Sequence, residues 1–510
     1  MPDPAPEHRP PHMSPEQFRA MGHRVVDWIA DRMADMGDRP VRGPTRPGEV
    51  LAALPDRPPE APGGPGEWDA IFRDLDAVVM PHLTHWQHPG FYAYFPCNAS
   101  GPGVLGEFVS AGLNVNGMLW ATSPAATELE TRVLDWGVDL FGLPESFRST
   151  AEGIGEDGEP IRGGGVIQGT ASEATLIALL AGRQRVRARH PGASRFAVLC
   201  SDQAHSSVTK AAMIAGLARS PEDREHVHLI PSRADGSMDP AALRSTLASL
   251  AADPGGPRAA LVVATVGTTA TGGVDSIEDA ALAIRQTGAS GCWLHVDAAY
   301  AGSAFVCPEH RGPARGLELA DSICINPHKW LLTNFDCDLF WVRDRRPMIE
   351  ALSITPEYLR NAATDAGGVI DYRDWQIPLG RRFRALKWWF VVRHYGAEGL
   401  RAHIRRHIAW ADWFADRVEG DARLELAAPR SPGLVCFRLR GSDDAANRAL
   451  LDRVNAGGEV LLSHAVVPAF DGEGGRTGSR FILRLALGSP ATTFGHVERA
   501  WAIVAEAAAR

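Results

Sequence analysis

No apolar run in the 510-residue sequence approaches the roughly 20 residues that cross a bilayer, so no membrane-spanning helix is expected. The start, MPDPAPEHRPPH, lacks the apolar core of a secretory signal, and export is not expected. Cysteine is sparse: seven residues, an odd number, with no CxxC spacing. That excludes a disulfide framework and a cysteine zinc site, and it fits reduced thiols in a cytoplasmic protein. No metal is called for. Basic residues are not in excess, with Lys+Arg 52 against Asp+Glu 61 and a net charge of −9. A general nucleic-acid or anionic-membrane surface is therefore excluded. Internal repeats are absent. What remains, 45% apolar and 22% charged, is a soluble globular composition rather than a disordered or collagen-like one. At roughly 100–200 residues per domain, the length allows two to four domains, or one large domain with attachments.

The pattern along the chain divides into three. Residues 1–13 are Pro-rich and read as disordered. Ser14-Pro15-Glu16-Gln17 then predicts a helix start, with Ser14 as N-cap and Gln17 completing a capping box. Phe18, Met21, Val25, Trp28, Ile29 and Met33 follow at helical spacing and give one apolar face. A Pro- and Gly-dense loop at 37–66 precedes a second helical stretch at 68–79. This N-terminal part cannot bury much by itself and should pack on another domain or subunit. From about 101, helices (112–120, 127–141, 172–189, 206–218, 240–251, 277–286) alternate with short apolar strands (196–200, 228–230, 260–266, 293–296, 322–325). Apolar strands between helices imply a mostly parallel sheet covered on both faces. Helices at 383–395 and 399–417 lead to a last part with strands at 433–439, 460–464 and 481–487 and helices at 445–454 and 494–509. The expected units are 1–100 (helical, packing on a partner subunit), 101–386 (large α/β) and 387–510 (small α+β).

Four segments carry chemistry. Gly-Gly-Gly-Val-Ile-Gln-Gly-Thr-Ala-Ser-Glu-Ala, residues 163–174, is a glycine-rich strand end entering a helix, with Thr170 and Glu173 at capping-box spacing. Free N–H groups at such a start bind phosphate, although capped helices are common. His-Val-Asp-Ala-Ala-Tyr, residues 295–300, ends an apolar strand on Asp297. That carboxylate is either a helix N-cap or the counter-ion of a bound cation. Ile-Asn-Pro-His-Lys-Trp, residues 325–330, sets Lys329 between His328 and Trp330 just after a buried strand. Apolar surroundings lower a lysine's pKa and make its amine nucleophilic, as Schiff-base chemistry needs. Asp-Gln-Ala-His-Ser-Ser, residues 202–207, puts His205 between a strand and a helix, where it could cover a planar ligand. A phosphate cradle, a carboxylate for a pyridinium nitrogen, a lysine for an aldehyde and an imidazole for a ring face together describe pyridoxal 5′-phosphate.

With these segments on the page, the sequence resembles the pyridoxal-phosphate group II amino-acid decarboxylases, most closely those acting on aromatic L-amino acids. The likeness extends through His85-Trp86, His88-Pro89, Ala93-Tyr94-Phe95-Pro96, Thr122-Ser123-Pro124-Ala125, Thr127-Glu128-Leu129-Glu130, Gly267-Thr268-Thr269, Asn334-Phe335-Asp336-Cys337 and Asp371-Tyr372-Arg373. The resemblance implies a fold-type I α/β enzyme and a homodimer with each active site at the interface. It implies that Lys329 binds the cofactor aldehyde, Asp297 the ring nitrogen, and His205 and Ala299 the two ring faces. Ala171, Ser172 and Asn326 would hold the phosphate, with His328 and Thr269 close by. Glu357-Tyr358-Leu359 resembles a mobile-loop segment whose tyrosine protonates the substrate carbon after CO2 leaves. Relatives with Phe there tend to be aldehyde synthases, so Tyr358 favours amine formation. The stretch between Tyr358 and Ile370 reads as a lid.

Substrate contacts implied by the motifs are Trp86, Tyr94, Phe95, Pro96, Cys97, Asn116, Met118 and Gly380. Cys97 stands where these enzymes usually carry Thr, and Asn116 and Met118 replace an aliphatic and an aromatic residue. Gly380 matches the form that accompanies indolic substrates in plant relatives. The leading expectation is decarboxylation of an aromatic L-amino acid to its amine. Alternatives are a smaller or acidic amino acid, which would need a cationic pocket residue that no motif supplies, an aldehyde synthase, and an aminotransferase on the same fold. A cofactor-bound protein without catalysis conflicts with the complete set Lys329, Asp297, His205 and Tyr358.

Overall fold

The computed structural model describes residues 12–60, 63, 66–155, 157–354 and 369–510. Tyr358 and the expected lid lie outside these residues, as does most of the Pro-rich start. The first helix is Pro15–Asp35. Its capping box is formed, with Gln17 N–H donating to Ser14 Oγ at 3.2 Å and Ser14 N–H to Gln17 Oε1 at 2.8 Å. None of its residues is buried, and Phe18 is 55% exposed. The apolar face foreseen for this helix is therefore left open along much of its length.

A central seven-stranded sheet has the order β3-β9-β8-β7-β6-β4-β5. A small hairpin, β1 (Glu152–Ile154) with β2 (Pro160–Arg162), precedes it. The sheet strands are β3 (Gly164–Gln168), β4 (Phe196–Ser201), β5 (Val227–Ile230), β6 (Arg258–Thr265), β7 (Trp293–Asp297), β8 (Ser322–Ile325) and β9 (Asp338–Val342). Only β9 runs against the others, pairing antiparallel with both β3 and β8. Strands β3, β4, β7, β8 and β9 are buried at every residue, as expected where helices cover both faces. Apolar clusters fill both sides, one around Phe141, Leu294 and Trp330, the other around Ile177, Leu261 and Trp293.

Past the sheet, the helix Ala385–Gly420 is continuous except at Gly396, whose φ of 62° makes the kink. The two helices expected here are both present, meeting at that kink. It leads into a second sheet of order β10-β11-β13-β12, formed by β10 (Leu424–Leu426), β11 (Leu434–Leu439), β12 (Ser463–Phe470) and β13 (Arg476–Ala486). Helices Asp444–Ala456 and Phe494–Ala508 pack on it.

Two local expectations are corrected. The helix foreseen at 112–120 is instead Gly101–Leu113, ended by Asn114 in the left-handed conformation at φ 46°. Beyond it the chain is held by other partners, with Gly117 N–H donating to Arg381 O, and Trp120 N–H to Asp371 Oδ1. Strand β9 was not foreseen, because a carboxylate, Asp338, heads its five residues.

Candidate active site

The C-terminal ends of the parallel strands gather the chemistry-bearing residues, as open α/β sheets do. Asp297 is the last residue of β7 and only 5% exposed. Its Oδ1 accepts the Ala299 N–H at 3.1 Å and lies 3.9 Å from Cys324 Sγ, one strand over. Behind it, His295 contacts Cys324 Sγ through Nε2 at 3.8 Å and Ser322 Oγ through Nδ1 at 2.9 Å. Burial pushes His295 down to about 4, so it is neutral.

Lys329 sits in the short turn Pro327–Trp330 that follows β8. Burial lowers its pKa from 10.5, while Asp297 opposes that shift. Its Nζ lies 5.7 Å from the centroid of Phe95. Phe95 stacks on Tyr300 at 3.8 Å, and Tyr300 on Trp330 at 4.9 Å, so the lysine stands over a rigid aromatic stack. His328 is buried, accepts the Cys337 N–H at its Nδ1 and is held down at about 3 by burial.

His205 lies just before the helix Ser207–Ile214. Its Nδ1 accepts the Ser207 N–H at 3.2 Å, so the neutral ring carries its proton on Nε2. The residue is exposed, yet desolvation by the surrounding chain lowers its pKa below 6.5 against the pull of Asp297.

The helix Ala171–Arg189 opens without a side-chain cap. The expected reciprocal capping box does not form. Glu173 Oε2 accepts from Gly169 N–H at 3.0 Å, and the Thr170 hydroxyl does not cap the helix. Its first N–H groups remain available to an anion. Asn326, 2% exposed, has a buried Oδ1 with no partner. An uncapped helix start, a neutral imidazole and a buried lysine under the pull of a buried carboxylate together fit pyridoxal phosphate. Thr269 is exposed in the loop after β6, beside Ala270.

The expected substrate residues fall into two groups. Trp86 and the segment Tyr94-Phe95-Pro96-Cys97 form the first group. Trp86 stacks on Tyr94 at 5.7 Å, and both are open, at 38% and 59% exposed. Tyr94 has a φ of 55°, a strained value for a non-glycine residue, and its N–H is fixed on Ser463 Oγ. Pro96 packs so close to Gly488 that any side chain there would collide with it. Asn116, Met118 and Gly380 form the second group. Asn116 Oδ1 accepts the Arg381 N–H at 2.9 Å, and Arg373 N–H donates to Met118 O at 3.0 Å. The buried Arg381 guanidinium pairs with Glu130 and donates to Ile167 O, tying this loop to the cradle strand β3. Among the described residues, no hydrogen bond or ring contact joins the trio to Lys329.

Arg484 was missed. It is 3% exposed on β13 and lies 5.2 Å from the Phe95 centroid. Nε donates to Ala270 O and Nη1 to Ser463 Oγ, both at 2.9 Å, while Nη2 has no partner. Its sequence signal was a charge inside the apolar run Phe481-Ile482-Leu483-Arg484-Leu485.

The family model described as "Pyridoxal-dependent decarboxylase conserved domain" matches residues 47–440. This chain belongs to the pyridoxal-dependent decarboxylase family. It is a carboxy-lyase whose cofactor is pyridoxal 5′-phosphate. The decarboxylase is 42% identical over 506 residues to tryptophan decarboxylase 2 of Oryza sativa subsp. japonica, covering 98% of this chain and 96% of that one. It is 44% identical over 506 residues to phenylacetaldehyde synthase of Arabidopsis thaliana, covering 97% and 96%. A crystal structure of Oryza sativa TDC with PLP and tryptamine superposes with a TM-score of 0.88 at 37% identity, over 98% of this chain and 99% of that one. The fold is accordingly fold-type I. No helix among the described residues is long and apolar enough to cross a membrane.

Proposed function

We propose that this chain converts an aromatic L-amino acid to its amine and CO2. The observation that carries this reading is the buried Lys329 over the Phe95 ring, under the electrostatic pull of Asp297, with the exposed ring pair Trp86 and Tyr94 next to Phe95 along the chain. Pyridoxal phosphate, when bound, supplies an aldehyde for the substrate amine and a ring that accepts the electron pair left by the departing carboxylate.

The residues do the rest. Lys329, with its pKa lowered by burial, offers a larger fraction of free amine to the aldehyde than a solvated lysine would. Asp297 would hold the proton on the ring nitrogen. His205 would cover one ring face with a neutral imidazole, and Ala299 the other. The N–H groups of Ala171 and Ser172, with the Asn326 amide, would hold the phosphate, near His328 and Thr269. Arg484, with Nη2 unpartnered, is placed to receive the substrate carboxylate. An aromatic side chain gains surface from Trp86 and Tyr94, with Pro96 and Cys97 completing that group.

Tyr358 returns the proton to the substrate carbon. A second reading follows from the 44% identity to a phenylacetaldehyde synthase. There the product is an aldehyde, and the residue at position 358 decides between the two.

We further place the active site between two copies of the chain. The open face of Pro15–Asp35, with Val25, Ile29 and Met33 beside Val104, Leu105 and Phe108, is the surface that a second copy covers. The partner's Asn116, Met118 and Gly380 would then complete the pocket. The three units at 1–100, 101–386 and 387–510 and a cytoplasmic setting with seven free thiols belong to the same reading.

The test is to incubate the purified, cofactor-loaded protein with a panel of L-amino acids and identify products by mass spectrometry. Amine from Trp, Tyr, Phe or a ring-substituted relative is expected. Aldehyde or keto acid would overturn the reaction, and amine from aspartate or glutamate alone would overturn the substrate.

A further inference from the structure

One buried acid in the cradle has no part in this scheme. Asp338 heads β9, is 0% exposed, and neither of its oxygens has a hydrogen-bond partner. Directly opposite, across the antiparallel ladder, stands Gln168, the last residue of β3. Opposed residues of an antiparallel pair project to the same face with Cβ atoms about 5 Å apart. Gln168 is also buried, and its amide orientation is fixed because Nε2 donates to Trp375 O at 2.6 Å. That leaves Oε1 facing inward with no donor. Two neighbouring side chains thus hold three unpaired acceptor oxygens, while the Gln168 NH2 group is turned to Trp375.

A single proton resolves the conflict. An ionised carboxylate without donors is far costlier to bury than a neutral acid, so such a group keeps its proton. The charged groups facing Asp338 favour the same state. Asp297 on β7 and Glu173 on the helix Ala171–Arg189 repel a second negative charge, and Lys329 alone opposes them. The Cys324 thiol on β8 also faces it and is held protonated by burial. Asp297 already offsets the charge of Lys329, so a neutral Asp338 adds no second negative charge to this buried set.

We propose that Asp338 is a neutral carboxylic acid whose O–H donates to Gln168 Oε1, making it a positioning residue for the phosphate turn. The bond would pin the end of β3, three residues before Ala171, to the strand that follows the lysine segment. Asp338 thereby fixes the spacing between the helix start and Lys329. This role rests on the cofactor reading above, whereas the protonation state does not.

The experiment compares infrared spectra and cofactor affinity in wild type, Asp338→Asn, Asp338→Ala and Gln168→Leu. At neutral pH, a carboxylic-acid C=O band is expected in wild type, with and without pyridoxal phosphate, and its loss in Asp338→Asn. In Gln168→Leu the band should persist at a higher wavenumber. Asn can donate an N–H to the same oxygen, so Asp338→Asn should hold pyridoxal phosphate within about twofold of wild type, whereas Asp338→Ala weakens it about tenfold. Loss of a carboxylate band in place of an acid band would overturn the proposal. So would an unmoved band in Gln168→Leu, or an Asn variant as weak as Ala. Should Asp338→Ala fail to fold, the Asn and Leu spectra still decide. Failure of wild type to take up pyridoxal phosphate would instead count against the cofactor reading, and the infrared result would stand.

Discussion

The cofactor cradle and the substrate pocket are built in opposite ways. Asp297, Asn326 and Ala171 are 5%, 2% and 8% exposed, and strands β3, β7 and β8 of one chain fix them. Trp86 and Tyr94 are 38% and 59% exposed, and Asn116, Met118 and Gly380 lie on two joined loops that, among the described residues, make no hydrogen bond to Lys329. Chemistry that must not vary sits in a packed sheet edge. Selectivity, on the function proposed above, would sit on open surface that a second copy closes.

The largest effect should come from breaking the cradle. Lys329→Ala should remove the cofactor's visible absorption band and lower turnover by more than about a thousandfold, measured by absorbance and amine release. Normal activity in that variant would refute the cradle assignment.

Breaking the other half means separating the copies. Phe18 and Met33 are 55% and 51% exposed, so carboxylates there need no rearrangement within one chain. Phe18→Asp with Met33→Asp should yield monomers by light scattering, with amine formation lost while each chain keeps its fold. Full activity as a monomer would mean that one chain holds a whole pocket.

Tyr358→Phe leaves both halves standing and changes only the fate of the substrate carbon. Product should shift from amine towards aldehyde, with oxygen consumed, read by mass spectrometry and an oxygen electrode. An unchanged amine yield would remove Tyr358 from the reaction.

The smallest effect is on stability. Burial holds His295 at about 4, and His328 and His403 at about 3, all below the ordinary 6.5. The fold favours their neutral forms, so stability is full above 6.5 and is lost as pH falls from 6.5 towards about 3. His295 lies behind Asp297 and His328 beside Lys329, which puts part of that acid sensitivity in the cradle. Urea midpoints that stay level across this range would contradict it.

The sequence was most legible where the chain answers only to itself. The apolar runs of β4, β7 and β8 read as buried strands, because each is set by local pattern. Legibility failed where distant segments decide. The stretch at 114–120 carries a helical pattern, but hydrogen bonds from residues 371–381 hold it as a loop. Arg484 and Asp338 went unread because each is one charge inside an apolar strand, and its meaning comes from neighbours 389 and 170 positions away, Phe95 and Gln168. The first helix was read correctly as amphipathic, and the open face it presents is what that reading could not place in one chain.

The division of labour is tested most directly by mixing two damaged copies. Lys329→Ala destroys the cradle and leaves the pocket loop intact. Gly380→Trp fills the pocket loop and spares the cradle, since a Cβ at 380 meets nothing nearer than Asn116 Nδ2 at 4.0 Å. Each variant alone should be inactive. Co-expressed, they form mixed dimers in which one site joins an intact cradle to an intact pocket loop, so amine formation should return. Continued inactivity of verified mixed dimers would contradict a cradle from one chain and a pocket from its partner.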